Sequence, residues 1–277
     1  MHLWKLSRPR FWFYLFGPYL LGAAALAHSP IVNADLISLT VYGLYFLLPA
    51  NLLIYGINDL FDYETDILNA KKQGYEAVLA PSLWSSTWSW ILALNAPFVI
   101  MAPFLLPPTA VLALLAFLFF GLGYSVPPLR AKTKPFLDAF FNILYVFPAL
   151  VSFGFVGLPP LVLVIAGTCW CMAMHAFSAV PDIKADTAAG IATVATVLGK
   201  TKTIAFCLFL YLLSGALSFQ YLGLLAVALG SAYALLMLAS LKSDEAKLFK
   251  IYKLFPFVNL TAGFLLTLKI ILPLLAR

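Results

Sequence analysis

Apolar residues in this chain come in long runs separated by short polar intervals. Runs long enough to cross a bilayer as a helix, which takes about 20 residues, lie near 10–27, 36–57, 85–106, 108–125, 136–156, 160–179, 203–220, 222–241 and 254–275. Several of the intervals are bare turns: Pro107-Pro108, Gly157 to Pro160 and Gln220 to Gly223. The pattern predicts an all-α, polytopic membrane protein with about nine transmembrane helices, forming a single domain over residues 1–277.

Composition agrees with the pattern. Of the 277 residues 63% are hydrophobic and only 10% charged, whereas soluble domains carry about 25% charge. In such a chain the formal charge of +6 points to loops facing anionic lipid and phosphate rather than to nucleic acid. Cys169, Cys171 and Cys207 all fall in apolar runs, and no His or Cys partners cluster near them, so they read as small buried hydrophobes. No cleavable signal peptide is evident: the first run follows Lys5, Arg8 and Arg10 but lacks a small-residue cleavage pattern.

Charge placement adds an orientation. With a cytoplasmic N-terminus and alternating loops, 15 of the 17 basic residues fall on the cytoplasmic side, leaving only Lys269 and Arg277 at the end of the last run. That is the positive-inside pattern, and it favours an odd number of spans. Ten of the eleven acids fall on the same side, with Asp35 opposite. One face therefore carries nearly all the ionisable chemistry, and the working mouth is expected there.

The acids themselves are patterned. Asn58 to Asp66, NDLFDYETD, packs four acids into nine residues. Asp59, Asp62 and Asp66 stand at i, i+3 and i+7, on one helical face. No Lys or Arg is interleaved, so the face calls for a counter-ion, and oxygen donors suit Mg²⁺ or Ca²⁺. The plainer alternative is a solvated acidic loop. A second pair, Asp182 and Asp186 in PDIKAD, repeats the D-x-x-x-D spacing of Asp62 and Asp66 on the same side, 120 residues later. Two such pairs suit two divalent cations that clamp a polyanion, typically a diphosphate. Basic residues offer the matching grip. Tyr124 precedes a rigid Pro127-Pro128 turn that aims Arg130, Lys132 and Lys134, and Lys71, Lys72 and Lys184 are further candidates for the phosphates. Ordinary positive-inside topology would account for any one of these cations alone.

A diphosphate at the mouth of an apolar bundle implies a hydrocarbon tail beneath it, such as an isoprenoid. Divalent metal then lets an allylic C–O bond ionise, and the cation must be kept from water. At this point the motifs resemble a known group. Asn58-Asp59-x-x-Asp62-x-x-x-Asp66, Tyr124-Ser125 with Pro127-Pro128-x-Arg130-x-Lys132, and Asp182-x-x-x-Asp186 resemble the UbiA-type intramembrane prenyltransferases. The resemblance runs from Ser7 to the ninth run. It implies nine helices around a central cavity, with two Mg²⁺ ions bridging the aspartate motifs and a prenyl diphosphate. Asn58, Asp62, Asp66, Asp182 and Asp186 would then be the metal set, Asp59 would serve the metals or support them, and Tyr124, Arg130 and Lys132 would sit over the diphosphate.

Within that superfamily, Ser7 to Gly22, Asn58 to Ala77, Pro135 to Pro148 and Ala179 to Lys200 are similar to the lycopene elongase branch, which transfers dimethylallyl groups to lycopene ends. Many aromatic prenyltransferases carry an Arg soon after the first motif; here Lys71-Lys72 stand instead. A carotene needs few polar groups in its pocket, and the runs offer few: Asn51, Asn95, Asp138, Asn142, His175 and Asn259. His175 and Asp138 are candidates for assisting the last step, in which the new cation loses a proton or takes water. The plainer reading is that both are satisfied structural groups. The alternatives are an aromatic acceptor of the quinone-precursor type and, in a different class, a cation-coupled transporter, whose acids usually lie nearer the bilayer midplane. The lipid bilayer, a prenyl diphosphate and a lipophilic acceptor are thus the expected partners; nucleic acid is not among them.

Overall fold

A computed structural model describes residues 2–26, 33–67 and 78–275. Among these residues every regular element is helical. In chain order they are α1 (His2–Leu6), α2 (Phe13–Leu26), α3 (Asn33–Leu47), α4 (Pro49–Phe61), α5 (Tyr63–Asp66), α6 (Trp84–Leu105) and α7 (Pro108–Ser125). There follow α8 (Leu137–Phe140), α9 (Phe147–Phe153), α10 (Leu161–Ala179), α11 (Ile183–Ala188), α12 (Val194–Leu222), α13 (Leu224–Leu241) and α14 (Glu245–Leu275). Helices are what the apolar runs demand, because hydrocarbon offers no partner for an open N–H or C=O.

Each of the nine predicted runs meets a helix, and among the described residues seven stretches are long and apolar enough to cross a membrane. The chain is thus an integral, multi-pass membrane protein. The other two apolar stretches, Phe13–Leu26 and Leu137–Phe153, are shorter. The second run is interrupted at Leu48 (φ −122°) and resumes at Pro49. Pro is tolerated there because the first helical position needs no N–H, and the Leu52 N–H donates to the Leu48 carbonyl at 3.0 Å, which keeps the ladder running. The fifth run is broken into α8, a 3₁₀ stretch over Phe141–Tyr145 and α9. Pro148 near the start of α9 removes one more backbone donor.

The helices pack as two compact units, each drawing on both halves of the sequence. The first holds α1 to α7 and α9. Its centre is aromatic: Tyr19 meets Phe46 at 5.4 Å between ring centroids, and Phe46 meets Phe117 at 5.2 Å. Small residues set how closely α2 lies on α9. A Cβ added at Gly22 would fall 2.2 Å from Ser152 Oγ and 2.3 Å from the Ala149 carbonyl oxygen. That closeness lets the Ser152 hydroxyl donate to the Tyr19 carbonyl at 2.8 Å across the interface.

The second unit holds α8, α10 to α13 and most of α14, with α12 packed between α10 and α13. The start of α12 is fixed by a reciprocal cap: the Thr193 hydroxyl accepts from the Thr196 N–H, and the Thr193 N–H donates to the Thr196 hydroxyl at 2.8 Å. Deeper in, Tyr211 stacks on Tyr233 at 4.4 Å.

Gly22→Ala therefore forces α2 and α9 apart against backbone rather than against a flexible side chain. The expected cost is that of overpacking, about 1–3 kcal/mol, seen as a lower thermal midpoint in detergent. Gly263→Ala, which meets open space, should leave the midpoint unchanged.

Candidate functional site

The first acidic motif sits where α4 runs out. Asn58 and Asp59 are in its last turn, Asp62 is its C-cap, and Asp66 ends α5. The Asp66 N–H donates to the Asp62 carbonyl at 2.8 Å, so the two residues are one helical turn apart. Asp62 is half-buried and Asp66 buried. Asn58 Oδ1 accepts from the Ser125 hydroxyl at 3.2 Å, joining the end of α4 to the end of α7. Tyr124, the residue before Ser125, is half-buried. The end of α4 and the end of α7 are thus joined within the first unit through Asn58 and Ser125.

Asp59 does something else. It is 3% exposed and accepts from an Arg8 Nη at 2.6 Å. Arg8 has left-handed backbone (φ 50°) and also lies over the Tyr55 ring at 4.9 Å. Beside it, the Trp12 indole N–H donates to the Ser7 carbonyl at 3.0 Å, and Ser7 is fully buried. Arg8 is the residue that sequence reasoning counted only as a topology charge. The pairing joins residues 51 positions apart, and the one signal of it was the burial cost of an acid inside an apolar helix face.

The second unit carries the remaining candidates. Asp182 closes a 3₁₀ turn at the end of α10 and Asp186 lies one turn on, in α11; both are half-buried. Lys184, between them in sequence, is 80% exposed and donates to Glu245 at 2.9 Å, so its charge is spent on a surface pair. Arg130 takes left-handed backbone (φ 38°), and its carbonyl accepts from both the Thr133 N–H and the Thr133 hydroxyl at 3.0 Å. Lys132, in the short 3₁₀ stretch Ala131–Thr133, is only 8% exposed. Lys71 and Lys72 lie outside the described residues.

The donor chemistry fits a hard divalent cation. Each acidic pair offers carboxylate oxygens one turn apart, where like charges repel unless a cation intervenes. Among the described residues no three His, Cys, Asp or Glu side chains form a ready cage. Oxygen donors from one or two carboxylates suit Mg²⁺, which keeps several waters and takes further oxygens from substrate phosphates.

The polar residues inside the apolar helices are mostly occupied in holding the fold. The Asn51 amide N–H groups donate to the Phe46 and Leu47 carbonyls at 2.9 and 3.0 Å. Those of Asn95 donate to the Pro49 and Ile91 carbonyls at 3.1 and 2.9 Å. Asn142 donates to the Asp138 carbonyl at 2.7 Å, and Asn259 Oδ1 accepts from the Tyr233 hydroxyl at 2.8 Å.

Apolar spans with oxygen-donor pairs at their ends describe a class, the multi-pass helical proteins that handle charged substrates at a membrane face. Comparison with known proteins makes it particular. Residues 15–259 match the UbiA prenyltransferase family. The chain is 39% identical over 271 residues to the lycopene elongase/hydratase of Halobacterium salinarum, covering 96% of both chains. It is 38% identical over 276 residues to that of Haloferax volcanii, covering 97% of this chain and 88% of the relative. Its fold is similar to that of a UbiA homolog from Archaeoglobus fulgidus bound to GPP and Mg²⁺, with a TM-score of 0.72 at 18% identity over 96% of this chain and 99% of the other. The chain belongs to the UbiA prenyltransferase family and is a prenyltransferase.

Removing one partner of the Arg8–Asp59 pair leaves a buried charge alone. Arg8→Ala or Asp59→Ala should each destabilise the protein by about 3–5 kcal/mol. The double variant should lose less than the sum of the two, and additive losses in a thermal-unfolding cycle would argue against the pairing.

Proposed function

We propose that this prenyltransferase moves a prenyl group, dimethylallyl for preference, from its diphosphate to the ends of lycopene or a related carotenoid. The observation that carries the proposal is kinship over nearly the whole chain, at 38–39% identity, with proteins named lycopene elongase/hydratase. The occupied amides add support. The amide N–H groups of Asn51, Asn95 and Asn142 are given to backbone carbonyls, which leaves fewer donors to fix the carboxylate of an aromatic acceptor. A carotene end asks for none.

In this reading residues 1–277 act as one transferase domain. Asn58, Asp62, Asp66, Asp182 and Asp186 would hold two Mg²⁺ ions. Magnesium, when bound, neutralises charge on the diphosphate and so eases ionisation of the allylic C–O bond. Arg130 and Lys132, with Tyr124, take the diphosphate oxygens; a guanidinium grips two at once, and the amine supplies a point charge. Asp59 acts at one remove: by holding Arg8 it fixes the turn of α4 that carries Asn58 and leads to Asp62. Lys71 and Lys72, which follow the first acidic motif in the sequence, are further candidates for the phosphates. The apolar helices keep water from the allylic cation until the acceptor double bond attacks it. The concentration of Lys and Arg in the loops of one face supports a cytoplasmic N-terminus and a cytoplasmic mouth.

Asp62→Ala or Asp182→Ala should abolish transfer while leaving the protein in the membrane. Excess chelator should do the same to the wild type, and full activity under either condition sinks the metal assignment. In a lycopene-producing host that makes dimethylallyl diphosphate, products heavier by one or two five-carbon units are expected. Unchanged lycopene beside a prenylated phenolic acid would overturn the acceptor.

A further inference from the structure

We propose that Trp84 and Trp88 are positioning residues for the metal assigned to Asp62. From α6 they grip Phe61 and Tyr63, the two neighbours of that aspartate, and so fix where its carboxylate stands. The inference rests on the metal assignment above and names what holds one of its ligands in place.

Asp62 occupies a break between helices. It caps α4 with φ −111° and ψ 5°, and α5 begins at the next residue. A helix of four residues is a single turn, and a single turn gains too little from its hydrogen bonds to hold itself. The Asp66 N–H ties back to the Asp62 carbonyl at 2.8 Å, but that bond moves with the segment. A metal ligand needs its orientation fixed by the groups around it, so this segment needs a brace from another element.

That element is α6, which lies along α4 in the opposite direction. The Asn95 amide donates to the Pro49 carbonyl at 3.1 Å, at the start of α4. Further along, a Cβ added at Gly56 would fall 2.9 Å from Ile91 Cδ1. Trp88 then meets Phe61 at 6.1 Å between ring centroids and 89° between planes, and Trp84 meets Tyr63 at 5.7 Å and 77°. Both are edge-to-face pairs within the favoured separation of about 4.5–7 Å. Residues 84, 88, 91 and 95 follow the alternating four- and three-residue steps of one helical stripe. The stripe that packs α6 on α4 therefore runs on past the end of α4 and takes hold of the residues on either side of Asp62. Trp84 is itself tied down, because its indole N–H donates to the Leu79 carbonyl at 3.4 Å.

Tryptophan near the end of a membrane-spanning helix is ordinarily an interfacial anchor, suited to the headgroup level by its amphipathic ring. Trp90 fits that role: it is 49% exposed and, two positions beyond Trp88, falls off the stripe. Trp84 and Trp88 differ from it. Each meets a ring, and the two rings belong to residues flanking a single acid.

The test measures Mn²⁺ binding to the full chain in detergent with inorganic diphosphate. Mn²⁺ takes the same oxygen ligands as Mg²⁺, and its free fraction is read from its electron paramagnetic resonance signal, so no turnover is needed. Trp84→Leu and Trp88→Leu should each bind Mn²⁺ about tenfold more weakly than wild type. Trp88→Phe keeps a ring against Phe61 without the indole N–H and should bind as wild type does. Trp90→Leu removes an interfacial indole from the same helix and should also bind as wild type does. In prenyl transfer the two Leu variants should recover as Mg²⁺ is raised, which a misfolded chain would not do. Wild-type affinity in both Leu variants overturns the proposal. Equal weakening in Trp88→Phe (an anchor rather than a ring contact), equal weakening in Trp90→Leu, or no recovery with added Mg²⁺ does so too. Wild type that binds no Mn²⁺, or Asp62→Ala that binds it as tightly as wild type, would instead sink the metal assignment on which the proposal depends.

Discussion

A carboxylate cannot stay charged in hydrocarbon without a cation, a helix end or water beside it. Most of what is distinctive here follows from that constraint. Asp62 and Asp66 stand just past the end of the long helix α4, and Asp182 and Asp186 just past the end of α10. Asp59, one turn inside α4, is answered by Arg8. Asp138, fully buried, is answered by the start of α12 and the imidazole of His175. Asp59 and Asp138, both buried within helices, are thus each provided with a specific neighbour.

Neutral polar groups follow the same logic at lower stakes. Asn51, Asn95 and Ser152 give their donors to carbonyls of neighbouring turns or helices. Where helices come closest, the side chain is removed altogether, as at Gly22 against Ser152. These donors tie neighbouring turns and helices to one another.

The helices were legible in the sequence because hydropathy and length are nearly all that a bilayer reads. The two D-x-x-x-D pairs were legible because their spacing matches a helical turn, and like charges repeated without interleaved cations need a reason. The break at Leu48 and the division of the fifth run were not, since both depend on local backbone geometry around Pro49, Pro148 and Phe136. Nor were the long-range ties. Arg8 to Asp59, Val194 to Asp138 and Lys184 to Glu245 join residues 51, 56 and 61 positions apart, and only the packed chain decides which cation meets which anion. Asp59, read from the sequence as serving the metals or supporting them, has Arg8 as a partner, and Lys184, a candidate for the phosphates, has Glu245.

The tie between Arg8 and Asp59 also bears on how the protein is made. Arg8 leaves the ribosome 51 residues ahead of its carboxylate. At roughly 5–20 residues per second, that is an interval of several seconds. During it the N-terminal arginine has only lipid headgroups or the insertion machinery to answer its charge. The tie can close only after α4 has been made, so the synthesis of residue 59 sets the earliest moment at which Arg8 meets its carboxylate.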